Sequence, residues 1–152
     1  MVAIRAIAVE DAEAVAELVG QLGYERTPAQ IAGWIAELTG REHEQRAFVA
    51  CMGDEVVGWI EVALERRLQY EACGHISGLV VKEGVRCGGI GRQLCRHAEQ
   101  WVAEQGVMVM RVLSRSTRER AHQFYLRDGY CQVKMSCVFE KSLGGTEQQA
   151  GA

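Results

Sequence analysis

The sequence predicts an α/β (α+β) domain, a mixed and mostly antiparallel sheet with helices on both faces. Two observations carry this prediction. Strand-like and helix-like segments follow one another in the order βααβββαβαβ, which requires both parallel and antiparallel neighbours. One segment, Gly74–Lys82, is nearly all apolar toward its end and runs through glycines into a helix, as expected of a central strand. We expect six to seven strands in one domain over residues 1–143, with a frayed tail at 144–152.

The N-terminal segments predict one strand and two helices. Alternating residues indicate a strand at about 2–8. Glu10–Leu22 follows as a helix that is acidic in its first turn and closed by Gly23. Thr27 and Pro28 then suit the N-cap and first position of a second helix.

The middle of the chain predicts a hairpin that leads to the central strand. Ala47–Met52 and Val56–Leu64 are β-rich and flank a short turn that contains Gly53. Gly74–Lys82 is the fourth strand.

The remaining segments alternate between helix and strand. A helix begins near Ile90 and extends to about Gln105. Met108–Leu113 is the expected fifth strand and Ala121–Arg127 a short helix, and residues 131–140 supply one or two last strands.

Composition and charge exclude several classes of protein. The 152 residues are 48% hydrophobic and carry a net charge of −3, so no global basic field attracts a nucleic acid or an anionic membrane. The apolar runs are too short to span a bilayer, and acidic residues near the N-terminus do not fit a signal peptide. We expect a cytoplasmic protein.

Six cysteines occur without a C-x-x-C pair. Four of the six lie in apolar or strand-like surroundings, which favours reduced, buried thiols in a reducing compartment over disulfides or a zinc site.

The glycine-rich turn after the fourth strand carries the clearest chemical signal. Residues 79–92 read LVVKEGVRCGGIGR, a buried strand that passes through glycines into a helix. Such a turn points unpaired N–H groups at the positive end of a helix dipole, where a phosphate binds. The P-loop pattern fails because no G-K-[ST] follows, and the dinucleotide pattern fails because Leu94 stands where the third glycine is needed.

The spacing Arg86-x-x-Gly89-x-Gly91 resembles the turn of the GCN5-related N-acetyltransferase (GNAT) family, which holds the pyrophosphate of acetyl-CoA. The resemblance implies acetyl-CoA as co-substrate. It places cofactor contacts on the following residues: Leu79, Val80, Val81, Arg86, Cys87, Gly88, Gly89, Ile90, Gly91 and Arg92.

Charge distribution agrees with a phosphate-bearing ligand. Four cations stand against Glu83 between residues 82 and 96, and five arginines stand against Glu119 between residues 111 and 127. The cationic residues of a protein with net negative charge are therefore concentrated in two segments. For any single arginine, the alternative interpretation is that its side chain lies on a solvated helix face and contacts no ligand.

A second motif at residues 114–130 resembles the closing segment of the same family. It reads SRSTRERAHQFYLRDGY, with Ala121 and Tyr125 in an A-x-x-x-Y pattern. Arg118 stands where many family members have Asn, and the resemblance implies a cofactor contact there. The form of the motif is similar to the branch that acts on aminoglycosides and amino-phosphonates.

The resemblance also implies a mechanism. Strands four and five splay so that the pantetheine arm pairs with strand four, and the Leu79 N–H polarises the thioester carbonyl. Tyr125 matches the general acid that protonates the departing thiolate, although by itself it reads as a core aromatic. His75 and Glu61 are alternative bases for the amine, and His75 reads equally well as a strand-edge histidine bonded to backbone.

These expectations favour an acetyl-CoA-dependent N-acetyltransferase of a small primary amine, acting by direct transfer in a ternary complex. The alternatives are a protein N-terminal or lysine acetyltransferase and a non-catalytic CoA-binding sensor. Homodimers are common in the family, and the alternating segment Ser136–Lys141 could pair across such an interface.

Overall fold

A computed structural model describes residues 1–85 and 88–144 of the chain. It divides into two compact units, Met1–Leu113 and Ser114–Ala152. The expectations for Arg86 and Cys87 in the glycine turn, and for the tail at 145–152, lie outside the described residues.

The first unit contains a five-stranded sheet whose strands follow sequence order. The first four strands pair antiparallel, and the fifth runs parallel to the fourth. The predicted mixed, mostly antiparallel sheet is therefore confirmed. The strands are β1 (Val2–Ala6), β2 (Gln45–Met52), β3 (Glu55–Arg67), β4 (Tyr70–Val81) and β5 (Met110–Val112).

Within the described residues, three α-helices belong to the first unit and one to the second. A 3-10 turn at Val9–Asp11 leads into the first of them. The helices are α1 (Ala12–Gln21), α2 (Pro28–Leu38), α3 (Ile90–Glu104) and, in the second unit, α4 (Glu119–Arg127).

The start of α2 confirms the helix signal read from the sequence. The Thr27 side chain accepts the N–H of Gln30 at 3.1 Å, and the Gln30 side chain accepts the N–H of Thr27 at 3.0 Å. Pro28 at the first turn loses no hydrogen bond, because the first N–H groups of a helix have no partner within it.

Helices cover both faces of the sheet, as predicted. On one face, α1 and α2 enclose a core cluster that includes Val49 and Cys51 of β2, with Trp59 of β3 packed against it. On the other face, a Cβ placed on Gly58 would meet Leu94 of α3 at 3.0 Å. Side chains alternate between the two faces along each strand.

The prediction of one or two last strands at residues 131–140 is wrong. The described residues 131–144 form no strand, so the described ranges 1–85 and 88–144 contain five strands instead of six to seven. Val138 and Phe139 are 89% and 92% exposed. Alternating apolar side chains give β propensity, but a strand exists only where its backbone pairs with a neighbour.

Over residues 1–85 and 88–144, none of the helices combines the length and the apolar character that crossing a membrane requires.

Candidate active site

The fourth strand extends beyond the fifth. The register between them covers Gly74–Ile76, whereas β4 continues to Val81. The splay expected between strands four and five stays a prediction, because all three residues of β5 pair with β4. Ser77–Val81 therefore forms an edge of β4 that β5 does not cover.

The backbone of this edge is oriented by its pairing with β3. The N–H of Lys82 donates to the carbonyl of Val57 at 2.7 Å, one step beyond the pair of Gly58 with Val81. Because antiparallel strands alternate hydrogen-bonded and non-hydrogen-bonded pairs, the N–H groups of Val81 and Leu79 point away from β3.

The neighbouring backbone groups are already engaged. The carbonyl of Val81 accepts a hydrogen bond from Gln21 Nε2 of α1 at 2.7 Å. Val80 is buried and lies opposite Trp59. The outward N–H groups at Leu79 and Val81 are thus the donors that the edge presents.

A β-bulge interrupts β4 next to this edge. Glu61 lies opposite Gly78, and the following residue Val62 lies opposite Ile76, so Ser77 is the additional residue. The Ser77 hydroxyl lies 3.0 Å from Glu61 Oε1, to which it donates. Bulges re-aim side chains and backbone groups, and this one turns the Ser77 hydroxyl toward β3.

The Glu61 carboxylate is held at both oxygens. Trp34 Nε1 of α2 donates to Oε2 at 2.8 Å, while Ser77 occupies Oε1. The residue opposite Glu61 is Gly78, where a Cβ would lie 2.5 Å from the Trp59 ring. A half-buried carboxylate with two donors has a fixed orientation and retains lone pairs for a cation.

His75, the other candidate base, lies on the same face of the sheet. It is half-buried and stands opposite Ala63 of β3 and Arg111 of β5. Glu61 and Ala63 are two residues apart on one strand, so His75 is the diagonal neighbour of Glu61. The register therefore places both candidate bases on one face of the sheet.

The described part of the glycine turn is open. Gly88 and Gly89 have φ of 103° and 70°, and Gly89 is the N-cap of α3 with no side-chain cap. A Cβ on Gly89 would meet nothing within 4 Å. Ile90 is buried and anchors the helix, while Arg92 is exposed on its first turn. The first N–H groups of α3 thus have no side-chain cap, and Gly91 and Arg92 belong to the same turn.

Arg118 and Tyr125 lie in the second unit. Arg118 is the N-cap residue of α4, and its carbonyl accepts the N–H of His122 at 3.1 Å. The ring of Tyr125 contacts Phe124 and Tyr130 edge-on, with centroids 5.2 and 5.7 Å apart. Their expected roles stay predictions.

Sequence reasoning did not identify Ser77 as a site residue. A bulge depends on how two strands pair, which periodicity within one strand does not reveal. The Ser77-Gly78 step inside an otherwise apolar strand was the available signal. Trp34 is a further residue that sequence reasoning did not place at the site, and its bond to Glu61 gives it a positioning contact.

No group of three or more His, Cys, Asp and Glu side chains is arranged to hold a metal ion within the described ranges 1–85 and 88–144.

Comparison with known families identifies the chain. The profile of the Acetyltransferase (GNAT) family matches residues 6–130, which is most of the sequence. The chain belongs to the acetyltransferase (GNAT) family. The family expected from the glycine turn and the second motif is thereby confirmed.

One curated relative is the aminoalkylphosphonate N-acetyltransferase of Salmonella typhimurium, 35% identical over 85 residues. The match covers 55% of this chain and 55% of the relative, so the chain spans about half the length of the protein it matches.

Two solved structures confirm the fold. A protein of Bacillus halodurans C-125, described as a transcriptional regulator, is 24% identical with a TM-score of 0.82, covering 93% of this chain and 100% of that one. An aminoglycoside N-acetyltransferase in complex with CoA, AAC(6')-Iy, is 14% identical with a TM-score of 0.82, covering 93% and 95%.

Proposed function

We propose that this GNAT protein is an acetyl-CoA-dependent N-acetyltransferase that transfers an acetyl group directly to a primary amine of a small molecule. The observation that carries the proposal is the Glu61 carboxylate, fixed by Trp34 and Ser77 beside the edge of β4 that β5 leaves uncovered. An acceptor amine needs a group that binds it and takes its proton, and an oriented carboxylate suits both tasks.

Two features of the chain fit acetyl-CoA. The uncapped N-terminus of α3, with Gly89 in the left-handed region, offers N–H groups to a pyrophosphate. The outward N–H groups of Leu79 and Val81 suit the amides of an extended pantetheine arm. When bound, acetyl-CoA supplies an activated thioester.

Residues of the chain then carry out the separate steps of the acetyl transfer. The Leu79 N–H donates to the thioester carbonyl as negative charge develops on it, a contribution of about 3 kcal/mol for one such donor. Glu61 binds the amine and accepts its proton, and His75 is the alternative acceptor on the same face. Tyr125 protonates the departing thiolate, as the family resemblance implies.

The relatives support a small-molecule acceptor. The curated relative acts on aminoalkylphosphonates by its name, and the CoA-bound neighbour is an aminoglycoside N-acetyltransferase. The acceptor proposed here is an amine of that general kind. A cytoplasmic location and a homodimeric assembly complete the proposal.

The test is release of CoA from acetyl-CoA in the presence of a panel of primary amines. The panel contains aminoalkylphosphonates, aminoglycosides and peptides with a free N-terminus or lysine. We expect turnover with a small amine and a loss of about 100-fold or more in kcat for Tyr125→Phe, since general acid catalysis contributes about that much.

Other outcomes would assign a different function to the protein or reject the proposal. Turnover with peptides alone would assign the protein to N-terminal or lysine acetylation. Tight binding of acetyl-CoA without turnover on any amine would indicate a CoA-binding sensor. Failure to bind acetyl-CoA would reject the proposal.

A further inference from the structure

A second polar cluster lies on the same face of the sheet as Glu61, toward the N-terminal end of β4. Its members are Arg111 of β5, Tyr70 of β4, and Glu65 and Arg67 of β3. The guanidinium of Arg111 lies 4.5 Å from the centroid of the Tyr70 ring, and that of Arg67 lies 5.7 Å from it. We call Arg111, Arg67 and Tyr70 the arginine platform.

The register places this platform on the Glu61 side of the sheet. Glu65 is four residues from Glu61 on one strand, so both side chains point to the same face. The Tyr70 hydroxyl lies 3.4 Å from Glu65 Oε2, which brings the Tyr70 ring to that face. Arg111 stands opposite His75 in the β4–β5 pairing and covers the same ring.

The one carboxylate of the cluster is already shared. Glu65 accepts from Arg67 Nη2 at 3.4 Å and from the Tyr70 hydroxyl at 3.4 Å, and the Cys73 thiol lies 4.0 Å away. Within residues 1–85 and 88–113, Arg111 has no ion pair and no side-chain hydrogen bond. Arg111 is therefore a half-buried guanidinium that is stacked on an aromatic ring.

The face therefore presents opposite charges in a fixed order along β4. The Glu61 carboxylate stands next to the Ser77 bulge, His75 follows, and the platform lies beyond it. A molecule lying along this face would place a cationic amine at Glu61 and an anionic group at Arg111. A polycation would instead bring a second positive charge against the platform.

We infer that the arginine platform binds an anionic group of the acceptor, so that the acceptor is an amine that also carries a carboxylate, phosphonate or phosphate. This inference rests on the proposed function and specifies its substrate class. Arg111 binds the anion through its donors, and Tyr70 is a positioning residue that holds the guanidinium in place.

The experiment compares four amines of similar length with the full chain and acetyl-CoA: aminopropylphosphonate, γ-aminobutyrate, butylamine and putrescine. We expect the two anionic amines to be preferred at least about 10-fold in kcat/KM, since a charged hydrogen bond is worth that much. The phosphonate and carboxylate arms identify which anion the platform prefers.

Variants then assign the preference to the platform. Arg111→Met is expected to raise KM for the anionic amines about 10- to 100-fold, with little change in kcat, in the KM for acetyl-CoA or in turnover of butylamine. Tyr70→Phe keeps the ring and should retain the wild-type KM, whereas Tyr70→Leu should raise it. The matched control is Arg66→Ala, which removes an exposed charge on β3 beside Arg67 and should change none of these values.

Two results would overturn the inference. If the wild-type enzyme has the same kcat/KM for butylamine or putrescine as for the anionic amines, it has no anion subsite. A variant series in which Arg111→Met lowers turnover of all four amines equally, with an unchanged melting temperature, gives Arg111 another role. Absence of turnover with every amine tested rejects the proposed function itself.

Discussion

The Ser77 hydroxyl donates a 3.0 Å hydrogen bond to Oε1 of Glu61, and this bond ties the bulge of β4 to the strand beside it. Ser77 is available for this contact because it is the residue left without a partner on β3. With Trp34 on the other oxygen, the carboxylate is oriented before any ligand binds. Preorganised groups avoid a reorganisation cost when charge develops during a reaction.

Glu61→Gln is expected to lower kcat/KM for the acceptor amine at least about 100-fold, the usual contribution of a general base. The amide keeps the volume of the side chain and an oxygen for Trp34, so the fold should be retained. Steady-state kinetics with a fixed, saturating acetyl-CoA concentration measures the effect.

The control for this prediction is His75→Asn. If His75 is the proton acceptor instead, that variant shows the large loss and Glu61→Gln a small one. A pH–rate profile that loses its acidic limb in only one of the two variants identifies the base independently.

Gly89→Glu is expected to weaken acetyl-CoA binding by at least about 100-fold, because a carboxylate replaces open space at a phosphate-binding helix terminus. Gly106→Glu is a matched control. Gly106 also has a positive φ, 81°, with nothing within 4 Å of a Cβ, but it lies beyond the other end of α3. The two variants carry comparable backbone strain and charge. Calorimetric titration should show loss of affinity in the first alone, and equal losses would contradict a phosphate site at Gly89.

The sequence was most informative where local chemistry alone determines structure. Thr27 and Pro28 predicted the start of α2, because capping depends on three or four consecutive residues. The glycines before Ile90 predicted a strand–turn–helix passage, since few other residues adopt the positive φ of Gly88 and Gly89.

The sequence was less informative where structure depends on pairing between distant segments. Nothing in residues 131–140 reveals whether a neighbouring strand is present, so their alternating pattern predicted strands that the structure lacks. The Trp34–Glu61 bond joins residues 27 positions apart on a helix and a strand. The stacking of Arg111 on Tyr70 likewise joins side chains of two different strands that are far apart in the sequence.

Gly78→Ala is expected to destabilise the fold by about 1–3 kcal/mol, the cost of overpacking a filled site. Its Cβ would lie 2.5 Å from the Trp59 ring, which is packed against the α1–α2 core. Gly33→Ala on the exposed side of α2 has nothing within 4 Å and should stabilise the protein by up to about 1 kcal/mol through helix propensity. Urea unfolding of the two variants measures both values. A stable Gly78→Ala would show that the Trp59 ring can move aside, and Glu61 opposite it would then be less rigidly placed.

Asp11 makes the stability of the fold depend on pH. Its carboxylate accepts from Arg5 Nη1 and Nη2 at 2.7 and 2.8 Å and from the N–H of Ala8 at 2.8 Å. The hydrogen bonds from Arg5 lower the pKa of Asp11 below its ordinary value of 3.8. A carboxyl group with a lowered pKa in the folded state contributes stability above its unfolded pKa, and that contribution is lost as the pH falls below about 4.

Asp11→Asn should therefore cost about 1–2 kcal/mol near pH 7, a modest value because the Arg5 side chain is half exposed. We expect the difference in free energy of unfolding between wild type and variant to stay constant from pH 7 to pH 5. Below about pH 4 the difference should shrink, because protonation of Asp11 in the wild type removes the same charge. Urea titrations at these pH values check the expectation. A difference that is unchanged at pH 3 would mean that Asp11 acts through packing and not through its charge.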